Sequence, residues 1–191
     1  MDSVKREFDT EKKEYTLCIL ADDTPGVLSQ VARLFSRKGY NIESIVTGES
    51  DRPHTARLTI SLVGDELMID QIAAQCRKLI CVQAVKILDE GSSIRREVAL
   101  IKVCAVDRNA RDEVIQMANI FRANIIDVSR ETLTVAIFGD EEKIDALTAM
   151  LADFGILEIT KTGTIAIERG RSTIYDDNKL KEEYNYGKNV L

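Results

Sequence analysis

The same order of hydrophobic periods runs through this chain twice, and that repeat limits the folds open to it more than any single motif does. In the first half, strand-like runs cover 15–21, 41–48, 55–63 and 81–88, and the stretches 25–38 and 66–79 carry apolar residues at helical spacing. The order is βαββαβ. Along 55–63, Ala56, Leu58, Ile60 and Leu62 alternate with Thr55, Arg57, Thr59 and Ser61, so this strand has one buried face and one polar face. After the punctuation Gly91-Ser92-Ser93 the order recurs, with strands over 96–106, 125–129, 132–139 and 157–167 and helices over 111–122 and 141–154. Val114, Met117, Ala118 and Phe121 form one apolar stripe and Ile144, Leu147, Leu151 and Phe154 another, both read as core. Two α+β units follow, each an antiparallel sheet with helices on one side.

The length of 191 residues and 45% hydrophobic content suit two small domains, over 15–90 and 91–170. Residues 1–14 read as a disordered extension, and the charged stretch 171–191, with Tyr175, Tyr184 and Tyr186, as a polar tail; mobility is expected from residue 169 onward. A net charge of −6 argues against a nucleic-acid or anionic-membrane partner, which would want a basic face. No apolar run approaches the ~20 residues that cross a bilayer, and the polar start resembles no targeting peptide, so a cytoplasmic location is expected.

Chemistry has little to stand on. His54 is the only histidine and sits in a charged turn beside Pro53, without a nearby serine or cysteine that also has a plausible orienting carboxylate to make a nucleophilic triad. No Gly-rich phosphate loop follows Gly26. Cys18, Cys76, Cys81 and Cys104 form no C-x-x-C pair and read as reduced core residues, so no metal is expected. Glu141, Glu142 and Lys143 read as a charged helix start without chemistry.

The stretch 21–46 is different. Thr24 is expected to be a helix N-cap, Pro25 the first helical residue, and Gly26 a gap that leaves the first-turn amides open. Leu28, Val31, Leu34 and Phe35 then share one face, and Gly39 ends the helix. Such a start attracts carboxylates, and Asp23 offers a charge for an ammonium group, so an amino acid matches the pair. The alternative is that Asp22, Asp23 and Thr24 only cap the helix. Asn41 is likewise either a turn residue or an amide that fixes a ligand's polar end.

The runs Gly26-Val27-Leu28-Ser29, Leu34-Phe35-Ser36-Arg37 and Gly39-Tyr40-Asn41-Ile42-Glu43-Ser44 resemble the ACT-domain family, and within it the small regulatory subunits of acetohydroxyacid synthase (acetolactate synthase). The second half carries the same resemblance in Ile120-Phe121-Arg122-Ala123, Ile126-Asp127-Val128, Gly155-Ile156-Leu157-Glu158 and Thr162-Gly163, so that it covers roughly 15–170. The resemblance implies two ferredoxin-like domains, the first an ACT domain, in a homodimer that is itself non-catalytic. It implies a large catalytic subunit as partner, which would carry thiamine diphosphate, magnesium and FAD, with no cofactor in this chain. It also implies activation of that partner and feedback inhibition by valine or a related branched-chain amino acid. Effector contacts carry over to Asp23, Gly26 and Asn41, with Ile42 beside them and the backbone of Pro25, Val27 and Leu28 taking the carboxylate. Three positions depart from the family's habit: Asp23 stands where asparagine is common, Arg33 replaces a small residue beneath the expected site, and Lys161 replaces an arginine. Two other readings share the topology. One is a free-standing ACT sensor acting on another enzyme or on transcription; the other is an RNA-recognition module, which needs exposed strand aromatics and basic charge that the central strands do not carry in quantity.

Overall fold

The alternation and helical periods resolve, in a computed structural model that describes residues 13–176, into two units, one of residues 13–94 with 166–176 and one of residues 95–165. In the first unit, β1 (Lys13–Asp22), α1 (Val27–Lys38), β2 (Ser44–Glu49), β3 (Thr55–Gly64), α2 (Glu66–Cys76) and β4 (Val82–Leu88) follow in order. The sheet runs β2-β3-β1-β4, and its paired strands are antiparallel. Leu17, Ile19, Leu58, Ile60 and Leu62 of the central strands meet Val31, Phe35, Ile69 and Ile72 of the helices in one core. The alternation along β3 thus places its leucines and isoleucine on the helix side, as the period-two pattern requires.

The second unit repeats this with β5 (Ser93–Cys104), α3 (Arg108–Ile120), β6 (Asn124–Val128), β7 (Thr132–Gly139), α4 (Glu141–Leu151) and β8 (Ile156–Lys161), in sheet order β6-β7-β5-β8. Its core gathers Ile101, Val103, Leu133, Val135 and Ile137 against Val114, Ile144, Leu147 and Leu151. Both units are ferredoxin-like, with an antiparallel sheet and two helices each.

Three expected element boundaries need correction. The helix expected over 25–38 begins only at Val27, because Pro25 and Gly26 form a turn instead. The helix expected over 141–154 ends at Leu151 and tightens into a 3-10 turn, Ala152–Phe154, before Gly155 with φ 84°. The single strand expected over 157–167 is two, since the chain breaks at Gly163, with φ 80°, and resumes as β9 (Ile165–Glu168), which pairs with β5.

The polar face of β3 is also less open than alternation implies. Thr59 and Ser61 are buried, and residues 166–176 lie over the sheet face opposite the helices, where Ala166 and Ile174 join Cys18, Leu20, Ala84 and Leu88 in a second apolar cluster. Arg57 donates to the carbonyl of Ala166 at 2.7 Å, and Lys86 pairs with Glu168 at 2.6 Å and donates to the carbonyl of Thr173 at 3.0 Å. Residues 169–176, expected to be mobile, are therefore docked. The expected N-terminal extension and the rest of the tail, with Tyr184 and Tyr186, lie outside the described residues except for Lys13 and Glu14, which open β1.

Candidate functional site

Among the described residues, three of the four α-helices begin in the same way. Asp65 accepts from the amide of Met68 at 2.7 Å, Asp107 from Ala110 at 2.8 Å, and Asp140 from Lys143 at 3.1 Å, so each helix start is closed by its own carboxylate. Helix α1 has no such cap and no acidic residue in its first turn. Thr24, the expected N-cap, instead gives its carbonyl to the amide of Val27 at 3.3 Å, across Pro25 and Gly26. With Gly26 at φ 92° and ψ −7°, this is a type II turn: proline in its second place, and in its third the residue that must take positive φ. The turn takes the amide of Val27 and leaves the amides that follow it in the first turn of α1 without a side-chain cap. That start has the partial positive charge of a helix N-terminus and suits a carboxylate.

The loop carrying this turn is pinned from beneath. The amide of Asp22 donates to the carbonyl of Cys81 at 2.8 Å, and the Asp22 carboxylate accepts from Gln83 Nε2 at 2.7 Å. The amide of Asp23 donates at 2.9 Å to the carbonyl of His54, a residue at φ 57° in the turn between β2 and β3. Asp23 itself is exposed, and among the described residues no donor reaches its carboxylate, which leaves it available to an ammonium group.

The expected site residues divide in two. Asp23, Pro25 and Gly26 are exposed on the loop, Leu28 is 45% exposed just beyond it, and Val27 is 5% exposed, so Val27 offers its backbone alone. Asn41 and Ile42 follow the other end of α1, past the left-handed Gly39. On β3, Asp22 lies opposite Thr55 and Ser44 opposite Ser61, a separation of roughly 20 Å at ~3.3 Å per strand residue. One chain therefore does not bring Asn41 to Asp23. Asn41 is exposed and donates to Glu43 at 2.8 Å, while Ile42 packs against the core.

Sequence reasoning missed Gln83, Thr55 and His54, which support the loop; only the Pro-Gly pair carried a local signal of the turn that needs them. Arg33 is exposed, so it does not pack beneath the loop. Lys161 pairs with Asp145 at 2.6 Å in the second unit, and that hydrogen bond holds its ammonium above the ordinary lysine range.

Among the described residues no three His, Cys, Asp or Glu gather as a metal site, and no helix is long and apolar enough to cross a membrane. The four cysteines are free; burial raises the Cys18 thiol and pushes Cys76 up to about 12, far from a reactive thiolate.

Comparison with known proteins agrees with both halves of the fold. A family model described as an AHAS small subunit-like ACT domain matches residues 17–84, and one described as the small subunit of acetolactate synthase matches residues 96–170. The chain is 44% identical over 167 residues to a probable acetolactate synthase small subunit of Methanothermobacter thermautotrophicus, covering 87% of this chain and 99% of that one. It is 45% identical over 158 residues to the acetolactate synthase small subunit of Mycobacterium bovis, covering 83% and 94%. The crystal structure of the acetolactate synthase small subunit from Thermotoga maritima superposes with a TM-score of 0.78 at 39% identity, over 84% of this chain and 99% of that one. With both domains matched in order and most of its length covered, this chain belongs to the acetolactate synthase small-subunit family, its first unit being an ACT domain.

Proposed function

We propose that this chain is the non-catalytic regulatory subunit of acetolactate synthase, binding valine or a related branched-chain amino acid at the open start of α1. The observation that carries this is the contrast between α1 and the other three helices: only α1 leaves its first-turn amides without a side-chain cap. The effector's carboxylate would sit on the open amide of Leu28, beside the turn of Pro25, Gly26 and Val27, and its ammonium on Asp23.

The site is completed by a second copy. Strand β2 lies at one edge of the first sheet, and a two-fold antiparallel pairing across it would set the Ser44 end of one chain beside the Glu49 end of the other. That places the Asn41 and Ile42 of one chain near the Asp23 loop of its partner, resolving the separation within a single chain. An effector at such a seam stabilises one arrangement of the two copies, and it changes the catalytic subunit only by its difference in affinity for two arrangements, typically ~1–3 kcal/mol. The catalytic subunit supplies the thiamine-diphosphate chemistry, with magnesium and FAD; this chain activates it and confers the feedback response, in the cytoplasm.

Calorimetric titration of the full chain with valine, leucine and isoleucine tests the proposal, with Gly26→Asp as the variant. Saturable binding of one of them that Gly26→Asp removes is the expected result. Binding left unchanged by Gly26→Asp would place the effector elsewhere.

A further inference from the structure

The turn that holds the Asp23 amide is itself held from its far side. Residues 51–54 are exposed, yet this turn makes a set of contacts with Tyr175, more than a hundred positions away in sequence and part of the same unit. The Tyr175 phenol donates to the Asp51 carboxylate and lies 3.0 Å from the Ser50 hydroxyl, which is 2.9 Å from the same carboxylate oxygen. The Arg52 guanidinium stacks 3.7 Å above the centre of the Tyr175 ring. Tyr175 is in turn anchored by its neighbours. Ile174 is 4% exposed in the cluster over the sheet, Lys86 holds the Thr173 carbonyl, and Arg169 bonds through its amide to Ser92 at 2.8 Å and through Nε to Ser93 at 3.1 Å.

The contacts form one line. Residues 166–176 are fixed to the sheet, Tyr175 fixes Ser50, Asp51 and Arg52, and the carbonyl of His54 in that turn fixes the amide of Asp23. We infer that the docked C-terminal segment is a latch on the effector loop, with Tyr175 as the positioning residue that sets how well ordered that loop is before a ligand arrives. An ordered loop loses less freedom on binding, so the latch raises affinity without touching the ligand. Coupling of this kind is reciprocal, so an occupied site tightens the docked segment. The family match ends at residue 170, so Tyr175 belongs to a part of the chain outside the matched regions, where effector sensitivity can be set apart from the effector contacts. The inference rests on the effector reading above, but its mechanical part is separable.

The test uses the full chain with Tyr175→Phe, which keeps the ring under Arg52 and removes only the hydroxyl. In ligand-free protein, the Asp23 amide should exchange with solvent roughly fivefold faster in Tyr175→Phe, the loss of about one hydrogen bond, while amides of β1 hold their rates. Asp51→Ala should reproduce the effect and Asp51→Asn, which keeps an acceptor, should largely restore it. Valine, leucine or isoleucine, whichever the native chain binds, should bind several-fold more weakly to Tyr175→Phe. Equal Asp23 exchange in the native chain and Tyr175→Phe overturns the latch, whatever the ligand result. Failure of the native chain to bind any of the three overturns the effector reading instead, and the exchange comparison alone then decides whether Tyr175 orders the loop.

Discussion

The two units share strand order and helix placement, yet the loops that lead from their first strands into their first helices do opposite things. In the second unit, Asp107 turns back to cap the amide of Ala110, so the start of α3 is satisfied from within. In the first, a type II turn at Thr24, Pro25 and Gly26 delivers α1 with its first amides uncovered and the Asp23 carboxylate beside them. A helix end that is closed by its own side chain in the second unit is left without a side-chain cap in the first. The duplicated fold provides its own control: the same topology carries a closed start and an open one, and under the proposed function the ligand belongs to the open one.

The outer sheet faces differ in the same way. That of the first unit is covered by residues 166–176, while in the second unit Val98, Leu100 and Phe138 are 37%, 38% and 57% exposed along the strands. The first unit is thus closed on its sheet face and open at its helix start, and the second is the reverse.

The sharpest way to break this contrast is to put a charge into the open start. A Cβ at Gly26 meets nothing within 4 Å, and Asp tolerates positive φ better than most residues, so Gly26→Asp should keep the fold at the cost of some backbone strain in the turn, a strain that Gly26→Asn shares. A like charge about 4 Å from a bound carboxylate should weaken binding on the order of a hundredfold or more. Gly26→Asn, of the same shape without the charge, should retain most of the affinity in parallel titrations, and equal losses would implicate shape instead. Next in size, Ile174→Ala should lower the stability of the first unit by roughly 2 kcal/mol through lost burial, read as an earlier urea midpoint for probes in that unit.

Smaller still, Asp107→Ala should cost about 1 kcal/mol by uncapping α3 and should leave amino-acid binding untouched. New binding at that opened helix would mean that an uncapped start is sufficient alone. The smallest effect belongs to Lys161→Met, which removes an exposed ion pair worth under about 1 kcal/mol. Because the Asp145 bond raises the Lys161 pKa, its contribution is present through neutral pH and is lost only as pH rises through that raised value, so native and variant stabilities should converge in strong alkali.

Much of this was legible before any coordinates. The period-two pattern of β3 and the stripes of α3 and α4 placed their core residues on the correct faces, since burial enforces period over many residues at once. What was not legible depended on single residues or on distant sequence. Thr24 has the chemistry of an N-cap, but Pro-Gly sets a turn that moves the helix start two residues on, and only backbone geometry decides between the two. Docking of residues 169–176 rests on Ile174 and Tyr175 in a polar stretch with no period to reveal it. The family resemblance groups Asn41 with Asp23 in one effector site, and nothing in the local sequence shows that the twelve-residue α1 carries them to opposite ends of one chain.

The most direct test of the contrast is a titration of the isotopically labelled full chain with valine, leucine and isoleucine, following backbone amide resonances in both units. The account predicts saturable shifts at Gly26, Val27 and Leu28, where the helix start is open, and none at Arg108, Asn109 and Ala110, where Asp107 closes it. Shifts at the start of α3, or none at the start of α1 with any of the three, would contradict it.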